Sequence, residues 1–121
     1  GQAYLAENAA REGVQVTESG VQWEVLEEGS GDRPTAEDRV RIHYTGTLVD
    51  GTEFDASGDT PLELGVSQFV PGFSEALQLM PLGSRYRFVI PSDLAYGPGG
   101  SQGAIGPNAT LVFEVELVEI L

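Results

Sequence analysis

Apolar and polar residues alternate along most of this chain with the period of two that suits half-buried strands. Val14 and Val16 begin the alternation, and Val21, Trp23 and Val25 continue it. A turn cluster, Gly29-Ser30-Gly31-Asp32, separates these from a run carrying Val40, Ile42, Tyr44 and Leu48. Asp50-Gly51 predicts a hairpin, with Thr52 to Asp55 as the returning strand. Gly58-Asp59-Thr60-Pro61 breaks the chain again, and Leu62 and Leu64 then alternate about Glu63. Further on, Tyr86, Phe88 and Ile90 share one strand face, with Arg85 and Arg87 on the other. Leu111, Phe113, Val115 and Leu117 alternate towards the end.

Two segments follow the helical period instead. Residues 1–12 are rich in alanine (Ala3, Ala6, Ala9, Ala10), carry Tyr4 and Leu5 as larger apolar groups, and meet Gly13 as a C-terminal cap. So short a helix is marginal alone, and it reads as the end of one that continues N-terminally. The second helix starts at Pro71, a residue suited to a first turn. Phe73, Ala76, Leu77 and Met80 give it an apolar face, and Pro81 and Gly83 end it. The expected fold is α+β: an antiparallel sheet of five or six strands wrapped around one short helix, with an N-terminal helical tail. Residues 1–13 form the tail and residues 14–121 one domain.

Composition narrows the chemistry. Nineteen acidic residues face six basic ones, all arginine, for a formal net charge of −13. That field repels phosphate backbones and argues against nucleic-acid partners. It suits solubility, and it also suits adaptation to high salt, where self-repulsion is screened. Without cysteine there is no disulfide, thiol nucleophile or thiolate metal site. His43 is the one histidine, so no His-based metal cluster can form. Its neighbour Tyr44 faces the opposite side of the strand, which makes His43 a surface or structural residue. No apolar run is long enough to span a membrane, and residues 1–12 lack the apolar block of a signal peptide. The residues call for no metal and no cofactor.

Two features exceed what folding needs. Residues 91–109 form a long loop rich in glycine and proline, and loops of that length are usually functional. Leu94, Tyr96 and Ile105 can hold it against the body. Tyr44, Phe54, Phe69, Phe73 and Tyr96 cluster at the ends of elements, where a concave site can form.

These residues sit in motifs that resemble the FKBP-type peptidyl-prolyl cis-trans isomerases. The matching stretches are VRIHYTGTLVDGTEFDAS at 40–57, VSQFVPGFSEALQLMPLGSRYRFVIPSDLAYG at 66–97 and IGPNATLVFEVELVEIL at 105–121. Residues 1–13 and the VSQ-VPG form resemble the Mip-type bacterial subgroup. There a long helix joins an N-terminal dimerisation module to the catalytic domain.

The resemblance implies an enzyme that accelerates rotation about X–Pro bonds in an apolar aromatic pocket and so assists protein folding. It implies that Tyr44, Phe54 and Phe113 are the pocket walls, Phe73 its floor, and Asp55 its carboxylate. Tyr96 is implied as a hydroxyl donor and the Val70 backbone N–H as a second donor. Phe69 and Leu64 are implied at the edge, and Ile105 at the apolar tip of the long loop. Three positions depart from the common pattern. Phe73 stands where tryptophan is most frequent, Phe69 where a β-branched aliphatic is usual, and Leu64 in place of an aromatic. By the same resemblance the partners are proline-containing polypeptides, with tacrolimus or rapamycin as ligands. The parent protein is implied to be a homodimer through its N-terminal module, in the periplasm or outer membrane of a Gram-negative bacterium, with this fragment a monomer. The competing functions are a peptide-binding or chaperone module that has lost catalysis, and a structural domain of an outer-surface assembly.

Overall fold

The computed structural model describes residues 2–100 and 105–121. Helix α1 spans Gln2–Ala9, and strands β1 (Val14–Val16) and β2 (Gln22–Glu27) follow. Strand β3 (Arg39–Leu48) returns through a hairpin into β4 (Glu53–Ala56), and β5 is Leu62–Gly65. Helix α2 (Pro71–Leu77) precedes β6 (Arg85–Ile90) and β7 (Leu111–Ile120). The sheet is antiparallel at every pairing, in the order β1-β2-β6-β7-β3-β4, with β5 also on β3.

The expected α+β class is the one observed. Among the described residues the strands number seven, because both short hairpin arms, β1 and β4, join the sheet. Helix α2 is shorter than its apolar spacing predicts. It ends at Leu77, and the Leu79 and Met80 amides bond three residues back, to Ala76 and Leu77, at 3.0 and 3.2 Å. The last turn therefore tightens before Pro81 is reached.

Strand alternation sorts the side chains as predicted. Val40, Ile42 and Tyr44 of β3, Tyr86, Phe88 and Ile90 of β6, and Leu111, Phe113, Val115 and Leu117 of β7 are all buried. Helix α2 lies across this inner face and buries Phe73, Ala76 and Leu77 against it. Trp23 stacks on Tyr86 with ring centroids 5.4 Å apart, extending the core towards β2. Each fully buried side chain of this size contributes about 1.5–3 kcal/mol, so the inner face dominates stability.

The outer face is charged. Arg85 pairs with Glu114 at 3.2 Å, Arg39 with Glu63 at 3.3 Å, and Arg41 with both Glu63 and Glu119. Arg87, on the same outer face, leaves this ladder. It donates to the Tyr4 hydroxyl at 2.7 Å and to Asn8 Oδ1 at 3.2 Å. Asn8 is buried and donates to Gln22 Oε1 at 2.7 Å, while Gln22 Nε2 donates to the Leu5 carbonyl at 2.8 Å. This network latches α1 to the outer face of β2 and β6. His43 lies outward too, opposite Glu116 across the β3–β7 ladder.

Candidate active site

Five aromatic rings converge at one end of the inner face. Phe113 is fully buried at the centre, 4.8 Å from Phe73, 5.6 Å from Phe54, 6.3 Å from Phe69 and 6.4 Å from Tyr44 between centroids. The Phe54 and Phe73 contacts are edge-to-face, at interplanar angles of 83° and 76°, the arrangement that ring quadrupoles favour. Pairing fixes the centre, since Phe113 lies opposite Gly46 on β3 and Phe88 on β6.

A bulge brings Phe54 and Asp55 to the same side. Simple alternation would send these neighbours to opposite faces. The β3–β4 register instead shifts between Gly46 and Thr47: Asp55 pairs with Gly46, Glu53 with Thr47, and Phe54 is the extra residue. An inserted residue bends the strand and re-aims its side chains. Phe54 therefore reaches Phe113, while Asp55 Oδ2 accepts the Tyr44 hydroxyl proton at 2.7 Å. The Ala56 amide holds the other carboxylate oxygen at 2.9 Å.

Tyr44 is also clamped through its backbone, its amide donating to Ser57 Oγ and its carbonyl accepting from the Ser57 amide, both at 3.0 Å. Burial pushes the Tyr44 phenol well above the ordinary tyrosine range, and the bond to Asp55 and that carboxylate's charge push the same way. The Tyr96 phenol is near enough to add a small electrostatic push of its own. Tyr44 thus remains a neutral donor fixed on a carboxylate.

Two glycines that the sequence reading passed over make the cluster possible. A Cβ on Gly46 would sit 2.7 Å from Phe54 Cζ and 2.8 Å from Phe113 Cε1, closer than van der Waals contact allows to either ring. Gly46 falls two residues after Tyr44, on the inner face, and that missing side chain was a legible signal. A Cβ on Gly72 would meet Ile90 Cγ2 at 2.4 Å and the Leu94 carbonyl at 3.0 Å. Its absence lets the first turn of α2 press against β6 and the following loop, which seats Phe73.

The remaining implied residues divide. Phe69 packs on Phe73 at 4.5 Å, joining the edge to the floor. Val70 is the N-cap of α2, and among the described residues its backbone N–H has no hydrogen-bond partner. Tyr96 is 36% exposed, at the start of a 3₁₀ turn over Gly97–Gly99. Ile105 is buried in the core cluster. Leu64 is buried in the same core cluster, opposite Val40 and two inner-face ladder positions back from Tyr44. Leu62 pairs with Ile42, the inner-face neighbour of Tyr44, and is 37% exposed. Along β3, Leu62 is thus one inner-face position nearer Tyr44 than Leu64 is. Residues 101–104 of the long loop lie outside the described residues.

Residues 31–118 match the family described as FKBP-type peptidyl-prolyl cis-trans isomerase, and residues 1–25 match the domain amino terminal to it. The chain belongs to the FKBP-type peptidyl-prolyl cis-trans isomerase family. It is 54% identical to the FKBP-type 22 kDa peptidyl-prolyl cis-trans isomerase of Escherichia coli, over 100% of this chain and 60% of that protein. It is 45% identical to the outer membrane protein MIP of Legionella longbeachae, over 99% of this chain and 52% of that one. The chain thus spans 60% or less of these two curated relatives. The crystal structure of a peptidyl-prolyl cis-trans isomerase from Pseudomonas syringae superposes with a TM-score of 0.94 at 39% identity, covering 98% of this chain and 89% of that one. FkpA from Escherichia coli gives the same score and identity, covering 98% of this chain and 56% of that one.

Proposed function

We propose that this chain is a peptidyl-prolyl cis-trans isomerase whose catalytic pocket is the aromatic end of the inner sheet face. The observation that carries the proposal is the Tyr44–Asp55 pair, held at 2.7 Å beside a cluster of four phenylalanine rings. A core needs the rings but not a carboxylate bonded to a buried phenol.

The chemistry requires no nucleophile. Resonance gives the peptide C–N bond partial double-bond character and a rotation barrier of about 18–20 kcal/mol. Uncatalysed X–Pro bonds take tens to hundreds of seconds, so millisecond turnover needs roughly 10⁵-fold, or about 7 kcal/mol. In the twisted transition state resonance is lost and the carbonyl is less polar. An apolar wall of Tyr44, Phe54, Phe73 and Phe113 favours that form over the planar, hydrated one, which is catalysis by differential binding. The Val70 N–H and the Tyr96 hydroxyl serve as donors that orient the substrate chain. Asp55 fixes Tyr44 and presents a carboxylate at the pocket, and Phe69, Leu62 and Ile105 shape its surroundings.

The substrates are proline-containing polypeptides, and tacrolimus or rapamycin would compete for the pocket. Residues 1–13 act as the end of a linker helix and residues 14–121 as the catalytic domain. The full-length protein works as a homodimer in the periplasm or at the outer membrane. The Legionella and FkpA relatives, both from Gram-negative bacteria, support that location. Exchange NMR or a protease-coupled assay on an X–Pro tetrapeptide tests the activity. Acceleration that tacrolimus abolishes is expected. Peptide binding without acceleration would instead make the chain a recognition module.

A further inference from the structure

We infer that a second groove, running from Phe69 along the exposed side of α2, is a subsite for the polypeptide flanking the bound proline and selects a basic residue opposite Glu75. The groove encloses about 460 Å³ between the 3₁₀ turn at Val66–Gln68 and the helix surface. Ser67, Phe69, Pro71, Ser74, Glu75 and Leu79 line it. Positions 71, 74, 75 and 78 fall on one face of the helix, opposite the buried Gly72, Phe73, Ala76 and Leu77.

Continuity points to the occupant. Phe69 contributes to both sites, packing 4.5 Å from Phe73 in the pocket while forming one end of the groove. A chain whose proline enters the rings leaves past Phe69 and has this channel before it. The helix rises ~1.5 Å per residue, so Glu75 lies about 6 Å beyond Pro71. An extended chain covers that distance in about two residues, which places Glu75 two to three residues from the proline.

The chemistry of the groove fits such a segment. Phe69, Pro71 and Leu79 supply apolar surface. Glu75 is half-buried, and the Ser19 hydroxyl donates to it at 2.7 Å, holding the carboxylate in place from a neighbouring loop. None of the lining side chains is basic. The Arg33 guanidinium is engaged at the far end, its Nε donating to the Leu79 carbonyl at 3.1 Å. A lysine or arginine of the substrate therefore meets a fixed carboxylate with no basic side chain among the residues that line the groove. The net charge of −13 adds a general attraction for cationic chains, which the test has to separate from the groove.

The inference rests on the isomerase reading, and the experiment keeps the two apart. Peptides with one central proline carry Lys or Glu at the second and third positions on either side. Each is assayed with the wild-type protein, Glu75→Gln, and Glu12→Gln as a control on the general field, since Glu12 is exposed at the end of the N-terminal segment. On one side of the proline, kcat/KM for Lys is expected to exceed that for Glu by roughly two- to fivefold, the range of a partly exposed ion pair. Glu75→Gln is expected to abolish the preference, Glu12→Gln to keep it, and neither to alter turnover of an uncharged X–Pro tetrapeptide. Equal rates for Lys and Glu peptides on both sides would overturn the groove, as would a preference that survives Glu75→Gln. A protein inactive on the tetrapeptide fails the isomerase reading instead. Equilibrium binding of the same Lys and Glu peptides then decides the groove by the same Glu75 criterion.

Discussion

The two faces of one sheet are built on opposite terms. On the inner face, neighbouring strands meet through rings and aliphatics, with the Asp55 carboxylate bonded to Tyr44 at the edge, and the fit is tight enough that a single Cβ at Gly46 has no room. On the outer face, the same strands meet through arginine and glutamate side chains that are roughly half exposed. Packing of the inner kind loses about 1–3 kcal/mol when overfilled. Exposed ion pairs contribute about 0–1 kcal/mol each and weaken with salt. A site that works by shape and exclusion of water can be built only on the first. The charged face is left to carry solubility and the seat of α1.

Substitutions can break this contrast, the largest effect coming from Gly46→Val. The added side chain displaces Phe54 and Phe113, and the expected result is loss of about 1–3 kcal/mol in denaturant unfolding. Isomerase activity is expected to fall on the order of 100-fold, because ring positions shift by the ångström that catalysis does not tolerate.

Removing a polar group comes next. Asp55→Ala leaves the Tyr44 hydroxyl without its acceptor, at a cost of about 1–2 kcal/mol in unfolding, and the same loss in the transition state lowers the rate roughly 5- to 30-fold. The same variant tests the electrostatics. Tyr44 has a folded-state pKa raised above the ordinary 10.0. Its contribution to stability is therefore complete below pH 10 and is lost as pH rises from there through the folded value. Spectrophotometric titration is expected to show Tyr44 and the buried Tyr86 ionising above the ordinary range in the wild type, and Tyr44 alone ionising earlier in Asp55→Ala.

The floor offers a sharper version of the comparison. Phe73 has only 1% of its surface exposed, with Phe69 against it at 4.5 Å, so the large edge residue occupies space that a larger floor would need. Phe73→Trp alone is expected to destabilise by about 1–3 kcal/mol, and Phe73→Trp with Phe69→Val to recover most of that in thermal unfolding. Additive effects would show that the two positions do not share space.

The outer face gives the smallest responses. Arg87→Ala is expected to cost about 1 kcal/mol and to lower hydrogen-exchange protection in α1, with catalysis unchanged. Arg41→Ala is expected to change stability by less than ~1 kcal/mol, and that little is expected to vanish in high salt.

Much of the fold was legible because strand alternation is a local signal. Ile42, Tyr44, Phe88, Ile90, Phe113 and Val115 all face the side their spacing gives. The motifs also named the rings that gather around Phe113. What escaped depends on pairing between strands. No local pattern announces that Phe54 is the bulged residue, yet the bulge sets Phe54 and Asp55 on one face. The register of β5 against β3 decides that Leu62 lies nearer the site than Leu64. The α1 latch joins Tyr4 to Arg87 across most of the chain, beyond the reach of any window.

The most direct test of the inner face as a catalytic surface is a matched pair of rates. Isomerisation of one X–Pro tetrapeptide is measured for the wild type, Asp55→Ala and Arg41→Ala at equal folded concentration. A strong acceleration over background by the wild type is expected, reduced roughly 5- to 30-fold by Asp55→Ala and untouched by Arg41→Ala. No acceleration at micromolar wild-type protein, or equal losses in the two variants, would contradict it.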